Sequence, residues 1–208
     1  PRAADVPVRA GPCRHATGEM APGVKPRPRS IIKDGQALHN PAEGRLLFEQ
    51  AIAGFRETDD AQGAHLAWCN IVNSILRERT DYSSLHDWIP AYATLPTIPA
   101  DSSSEQPVTV SMLNAMVLVQ PAHPDVDLWS ERALTLLRSH ARATLRLGAG
   151  TYLLMRHALS GEPLRATPVL RLLEHVLHSP QAEPLLQLNA QTATAFFHWL
   201  SGTPAAAL

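Results

Sequence analysis

The 208 residues are 45% hydrophobic and 18% charged with a formal net charge of −1, which excludes disorder as the dominant state and fits a core or an array of stacked units. No window approaches the roughly eighteen uninterrupted apolar residues that a membrane span needs, and no apolar stretch follows the N-terminal basic residues as in a signal peptide, so the expected location is the cytoplasm. Residues 1–33 hold seven Lys or Arg against two acids and the remainder eleven against seventeen; an acidic remainder disfavours nucleic-acid binding by that part, which needs clustered cations.

Residues 1–40 read as a disordered Pro/Arg-rich leader. Arg2, Arg9, Arg14, Lys25, Arg27, Arg29 and Lys33 are scattered among six prolines, a composition that cannot bury enough apolar surface to order itself. Contact with phosphate is the alternative for this tail. Cys13 lies in it and Cys69 in an apolar helical pattern, and the two make neither a disulfide framework nor a CxxC motif.

From Asn40 onward turn signals recur: NPAEG at Asn40, TDYSSL at Thr80, QPAHPD at Gln120, SGEPLRA at Ser160 and SGTPAAAL at Ser201, successive starts being 40 or 41 residues apart. A fixed period in this range marks stacked supersecondary units. Between the turns the apolar spacing is three and four, as on a helix face. A first helix over 42–57 presents Leu46, Leu47, Ala51, Ile52 and Phe55. Thr58, Asp59 and Asp60 form the turn and cap a second helix over 61–79, which buries Leu66, Trp68 or Cys69, Val72, Ile75 and Leu76. Asp81 caps a third with Leu85, Trp88 and Ile89. The stretch 94–107, with three prolines and a serine run, is a loop and the longest interruption. Helices follow over 108–119, 124–139, 141–160, 162–178 and 184–201; Pro124 and Pro184 are tolerated in first turns, whereas Pro168 should kink its helix or delay its start to Thr167. No strand pattern occurs. The fold class expected is all-α: a right-handed, tetratricopeptide-like α-solenoid of stacked antiparallel helix pairs over residues 41–208, with a period of about 40 residues. LSGEPLRA at 159–166 and LSGTPAAAL at 200–208 are one turn in successive units. The second copy stops after its first helical turn, so the array is expected to be truncated, with a last face including Phe197 and Leu200 left for residues beyond it.

Alignment of the periods puts Asn70, Ser111, Thr151 and Thr192 in one column of small polar residues. Either they let helices approach closely or they line a concave groove for a ligand or partner; they are the candidate binding residues. The four tryptophans, Trp68, Trp88, Trp129 and Trp199, read as core anchors.

The run AIAGFRETDDAQGAHLAWCNIVNSIL followed by DYSSLHDWI, with QPAHPDVDLWSERALTLLRS and the ending FFHWLSGTPAAAL, resembles the tetratricopeptide-like (MalT-like) helical-repeat region of large bacterial transcriptional regulators of the LuxR and SARP type. The resemblance covers about 42–208. It implies a sensor or signal-transduction region that binds a protein, peptide or small effector, with an ATPase or DNA-binding module as neighbour. The chain itself has no GxxxxGK[ST] loop and no recognisable helix-turn-helix. Asn73 and Leu85 stand where such repeats have small residues.

Ten histidines raise the rival reading, a metal-dependent hydrolase. Its best constellation is Glu174, His175 and His178, but HExxH and a third ligand are missing, and histidines near a helix C-terminus are favoured by its carbonyls. His157 and His198, 41 residues apart, occupy equivalent positions and read as a structural slot. Ser83, Ser84 and His86 lack triad geometry. The expectation is therefore a non-enzymatic protein- or effector-binding scaffold with no catalytic residue, metal or cofactor, or else a free-standing adaptor.

Overall fold

Local chemistry starts and stops each helix. Asn40 Oδ1 accepts from Ala42 N at 3.0 Å and Pro41 sits in the first turn, where no intrahelical partner is lost, so α2 runs Pro41–Glu57. Asp60 Oδ1 accepts from Gly63 N at 2.8 Å and opens α3, Ala61–Glu78. The structure is a computed structural model that describes residues 28–37, 40–99, 102–203 and 205. Among these every regular element is helical: α1 (Pro28–Ala37), α2, α3, α4 (Leu85–Ala91) running into a 3-10 turn at Tyr92–Thr94, α5 (Glu105–Val119), α6 (Val126–Arg138), α7 (Ala143–Leu159), α8 (Pro163–Leu177) and α9 (Pro184–Leu200). None of these helices is long and apolar enough to cross a membrane.

Several expectations need correcting. Residues 28–37 are a helix, not part of a leader. Ile31 on α1 is buried in the core, and Arg29 pairs with Asp60 at 3.2 Å. Residues 1–27, with Cys13 and most of the basic side chains, lie outside the described residues, as do 206–208. On α2 the core stripe is Phe48, Ala51, Ile52 and Phe55, while Leu46 faces solvent. Asp81 does not cap α4; its carboxylate accepts from Ser83 N and Ser83 Oγ at 2.8 and 2.9 Å in a turn just before the helix. Helix α5 starts at Glu105, so Pro107 falls in its first turn and the connection ends at Ser104. Pro168 lies inside α8, which begins at Pro163. The carbonyl that Pro168 cannot serve belongs to Leu164, a solvent-exposed residue, so water can reach it.

The odd-numbered helices end at Ala37, Glu78, Val119, Leu159 and Leu200, spaced 41, 41, 40 and 41 residues. The turn period read from sequence is thus the period of these ends, and the first turn of the series, at Asn40, follows the end of α1. In the packing order α1 meets α3, α3 meets α5, α5 meets α7 and α7 meets α9, while each even helix packs against its odd neighbours. Helix α3, with α1, α2, α4 and α5 around it, buries ten residues instead of one stripe. Two apolar clusters result. One joins α1 to α6 around Trp68, Phe55 and Ile71; the other joins α5 to α9 around Leu137, Leu147 and Leu153. Helix α5 serves both, giving Met112 and Met116 to the first and Leu113 and Val117 to the second.

The turn that recurs in sequence recurs in space. Glu162 N donates to His157 O at 2.9 Å and Gly161 N to Ala158 O at 3.2 Å; Thr203 N donates to His198 O at 2.9 Å and Gly202 N to Trp199 O at 3.3 Å. Both are Schellman ends with a left-handed glycine, φ 68° and 72°. Helix α2 ends likewise, with Asp60 N to Phe55 O at 2.9 Å and Asp59 at φ 54°. His157 and His198 share one slot: Nδ1 of each meets the side chain five residues on, Glu162 Oε2 at 3.2 Å and Thr203 Oγ1 at 3.1 Å.

Candidate functional site

Between α3, α5 and α6 the 3-10 turn and the connection that follows it roof a cleft of about 380 Å³. Its size is in the range of small-molecule sites. The inner wall is His65 of α3, Tyr92 and Trp129 of α6; the roof is Leu95–Pro99; Glu105 of α5 and Arg132 of α6 stand at the mouth. The roof is pinned to α3: His65 Nε2 donates to Pro96 O at 2.8 Å, and Gln62 Nε2 donates to Ser103 Oγ. Arg56 Nη2 donates to Thr94 Oγ1 at 2.8 Å, tying α2 to the 3-10 turn.

Tyr92 is the hub of the aromatic wall. Its ring meets His65 at 5.2 Å and 86°, Trp68 at 5.2 Å and 61°, and Trp129 at 5.7 Å and 84°. These edge-to-face contacts fix the rings beyond what burial alone does. Trp68 spends its polar N–H on Trp88 O at 2.8 Å. Arg132 Cζ lies 4.7 Å from the Trp129 ring centroid, so the guanidinium is held over the indole while the residue remains exposed. A second, open cleft of about 360 Å³ shares Glu105 and Arg132 and continues toward Leu128 and Thr135.

Burial sets the charge state of the wall. His65 is 3% exposed, and desolvation holds its pKa below the ordinary histidine value, against the opposing pull of the Pro96 carbonyl. A carbonyl can only accept, so Nε2 carries the proton and Nδ1 presents a lone pair. That Nδ1 is buried with no hydrogen-bond partner, an uncommon and costly state. Desolvation foremost also raises the pKa of Tyr92. The cleft therefore offers ring faces and edges in its wall, and one cation and one carboxylate at its mouth. Such groups suit a ligand with an apolar or aromatic body and polar ends.

The predicted column lies elsewhere. Asn70, Ser111, Thr151 and Thr192 each sit eight residues before the end of an odd helix, so the register read from sequence is that of the structure. Ser111 and Thr151 are buried, Asn70 is half-buried and Thr192 exposed. Ser111 hydrogen-bonds the sulfur of Cys69 on α3, whose thiol burial pushes up to about 12. Asn70, Thr151 and Thr192 donate to the carbonyls four residues back at 2.9, 2.7 and 2.9 Å. The column is a seam between neighbouring odd helices: closed in the middle of the row and open on α9, where the described row ends. It does not form a continuous solvent-facing groove.

Of the tryptophans, Trp68 and Trp129 are buried and Trp88 half-buried, but Trp199 is 65% exposed and no core anchor. Of the two residues expected on an open last face, Phe197 is buried and Leu200 is exposed. Glu174, His175 and His178 are exposed at the end of α8, and among the described residues no group of three or more His, Cys, Asp or Glu is arranged to hold a metal ion. His86 Nδ1 meets Gln120 Nε2 at 3.1 Å, away from Ser83.

His65, Tyr92, Glu105 and Arg132 were not singled out from sequence. The one signal that pointed to them was the long break between α4 and α5, since long connections on a rigid scaffold often carry function. No protein-family model, curated protein or solved structure matches the chain.

Proposed function

We propose that this chain is a non-catalytic binding module, a right-handed α-solenoid that takes a small effector in the cleft beneath residues 95–99. The observation that carries the reading is the cleft itself: an aromatic-walled pocket with a cation and a carboxylate at its edge, at the long break in a 40-residue period. The equal spacing of the odd-helix ends and their neighbour-to-neighbour packing support the solenoid. The cleft draws on α3, α5 and α6, so an occupant touches successive units at once, and a preference for one packing over another would shift the shape of the array. That is the behaviour of a sensor region, and the sequence resemblance supports placing it in a bacterial transcriptional regulator, beside an ATPase or DNA-binding module. In this reading the module itself makes no nucleic-acid contact, and its setting is the cytoplasm.

Calorimetric and thermal-shift titration with uncharged planar fragments, indole and phenol, tests the site. Binding that raises the melting temperature is expected for the native chain. It should be lost in Ala93→Trp, which places a bulky ring at the exposed mouth while leaving the helical circular dichroism unchanged. An equal response from both proteins would remove the cleft from the reading.

A further inference from the structure

The cleft beneath residues 95–99 holds two charges of opposite sign that do not serve each other. Glu105 opens α5 and Arg132 stands in the middle of α6, and both line this cleft and the open one beside it. They form no ion pair with one another, and among the described residues neither has an ion-pair partner elsewhere. Both are nonetheless gathered at the aromatic wall. Arg132 is held with its Cζ 4.7 Å from the Trp129 ring centroid. Each charge also acts on Tyr92: burial foremost raises the phenol pKa, Arg132 works against that rise and Glu105 adds to it. An acid in a first helical turn is favoured by the macrodipole, which accounts for Glu105 in part. An arginine in mid-helix gains nothing from that field, so its place at the cleft is set by Trp129.

This arrangement discriminates between guests by charge. A cleft of about 380 Å³ lies at the lower end of the small-molecule range, room for one ring system on a short chain. A neutral guest would take water from both charged groups and give neither a partner. An anion would meet Arg132 but be repelled by Glu105, and a cation would suffer the reverse. A guest bearing both charges compensates both, and the gap between the two side chains leaves a place for it. His65, kept neutral by burial, adds no third charge. We infer that the ligand of this cleft is an aromatic zwitterion: its ring on the Tyr92 and Trp129 wall, its ammonium at Glu105 and its carboxylate at Arg132, the make-up of an aromatic α-amino acid. The inference rests on the cleft being a ligand site, as proposed above, and adds the charge pattern of what enters it.

Calorimetric titration of the full chain near neutral pH with four indoles separates ring from charge. L-Tryptophan carries both charges, tryptamine the cation alone, indole-3-propionate the anion alone, and indole neither. L-Tryptophan should bind about tenfold tighter than either singly charged relative, because it satisfies one more charge-assisted contact. Arg132→Met keeps an unbranched side chain over Trp129 and should bring L-tryptophan down to the level of tryptamine. Glu105→Gln, nearly isosteric, should bring it down to the level of indole-3-propionate. Circular dichroism checks that both variants keep their helices. Arg138→Met, at an exposed arginine of α6 that lines neither cleft, should preserve the native ranking. L-Tryptophan that binds no tighter than its singly charged relatives, or a preference that survives both cleft variants, would overturn the inference. Indole binding that Ala93→Trp abolishes would in that case still stand for the cleft as a site. Failure of all four compounds to bind, or equal binding by Ala93→Trp, would instead remove the cleft and the zwitterion together.

Discussion

Two kinds of residue decide how firmly the turns and the core hold. Gly161 adopts φ 68° and has open space where a side chain would go. Gly161→Ala therefore meets only the left-handed backbone penalty and should cost about 1 kcal/mol in chemical denaturation. Asp59 holds the same position in the turn between α2 and α3 at φ 54°, exposed to solvent. Asp59→Gly should shift stability the other way, by up to about 1 kcal/mol. Opposite signs from equivalent positions would show that the turn geometry, not the local contacts, sets the energy. His65 and His157 make the second kind. Burial is the leading cause lowering both pKa values, partly offset by the Pro96 carbonyl and by Glu162 respectively. A histidine depressed in the folded state takes up protons more readily once unfolded, so the stability it contributes is complete above pH 6.5 and falls away as pH drops through the folded value. The melting temperature should decline on acidification below about pH 6.5, and His65→Gln should flatten that decline. A profile unchanged by His65→Gln would assign the acid sensitivity elsewhere.

At the scale of the helix, α1 and the α2–α3 pair show what patterning does and does not reveal. Gly63 sits beneath the Phe55 ring, and Gly54 beneath Pro28 of α1, whose Cγ would lie 2.8 Å from an added Cβ. Gly63→Ala should force the buried ring aside and cost about 1 to 3 kcal/mol, read from the thermal midpoint. Ile31→Ala should cost about 2 kcal/mol through lost burial on α2 and α3; an unstructured leader would give no change. Existence and type of the helices from 41 onward were legible, because three-and-four spacing between regular turns is a strong signal. Helix α1 was hidden by prolines and arginines whose composition resembles a linker, although the first turn of the series, at Asn40, marked where it ends. On α2 the stripe read from sequence took Leu46 and passed over Phe48. Several apolar choices satisfy one stripe, and only the neighbours of the helix decide between them.

For the whole molecule, the seam formed by Asn70, Ser111, Thr151 and Thr192 was legible as a register, but whether it faces a ligand or another helix depends on curvature, which no local pattern carries. The cleft was illegible because His65, Tyr92 and Trp129 come from three elements that meet only through packing. The two apolar clusters share α5, so a cavity made in the second, Leu147→Ala, should cost 2 to 5 kcal/mol there. Hydrogen exchange should then speed up in α7 to α9 while α2 and α3 keep their protection. Uniform loss of protection would mean that the helices unfold as one unit. Helices that pack extensively are never more than two apart in chain order, yet Arg79 Nη2 donates to Asn189 Oδ1 at 3.1 Å across 110 residues. In a flat row with helix axes about 8 to 10 Å apart, α3 and α9 would be beyond the reach of one arginine, so the row is curled. In folding kinetics, near-neighbour pairings can nucleate early and grow outward. The Arg79–Asn189 bond reaches its native geometry with α3, α5, α7 and α9 all in place, which makes it a reporter of the completed packing.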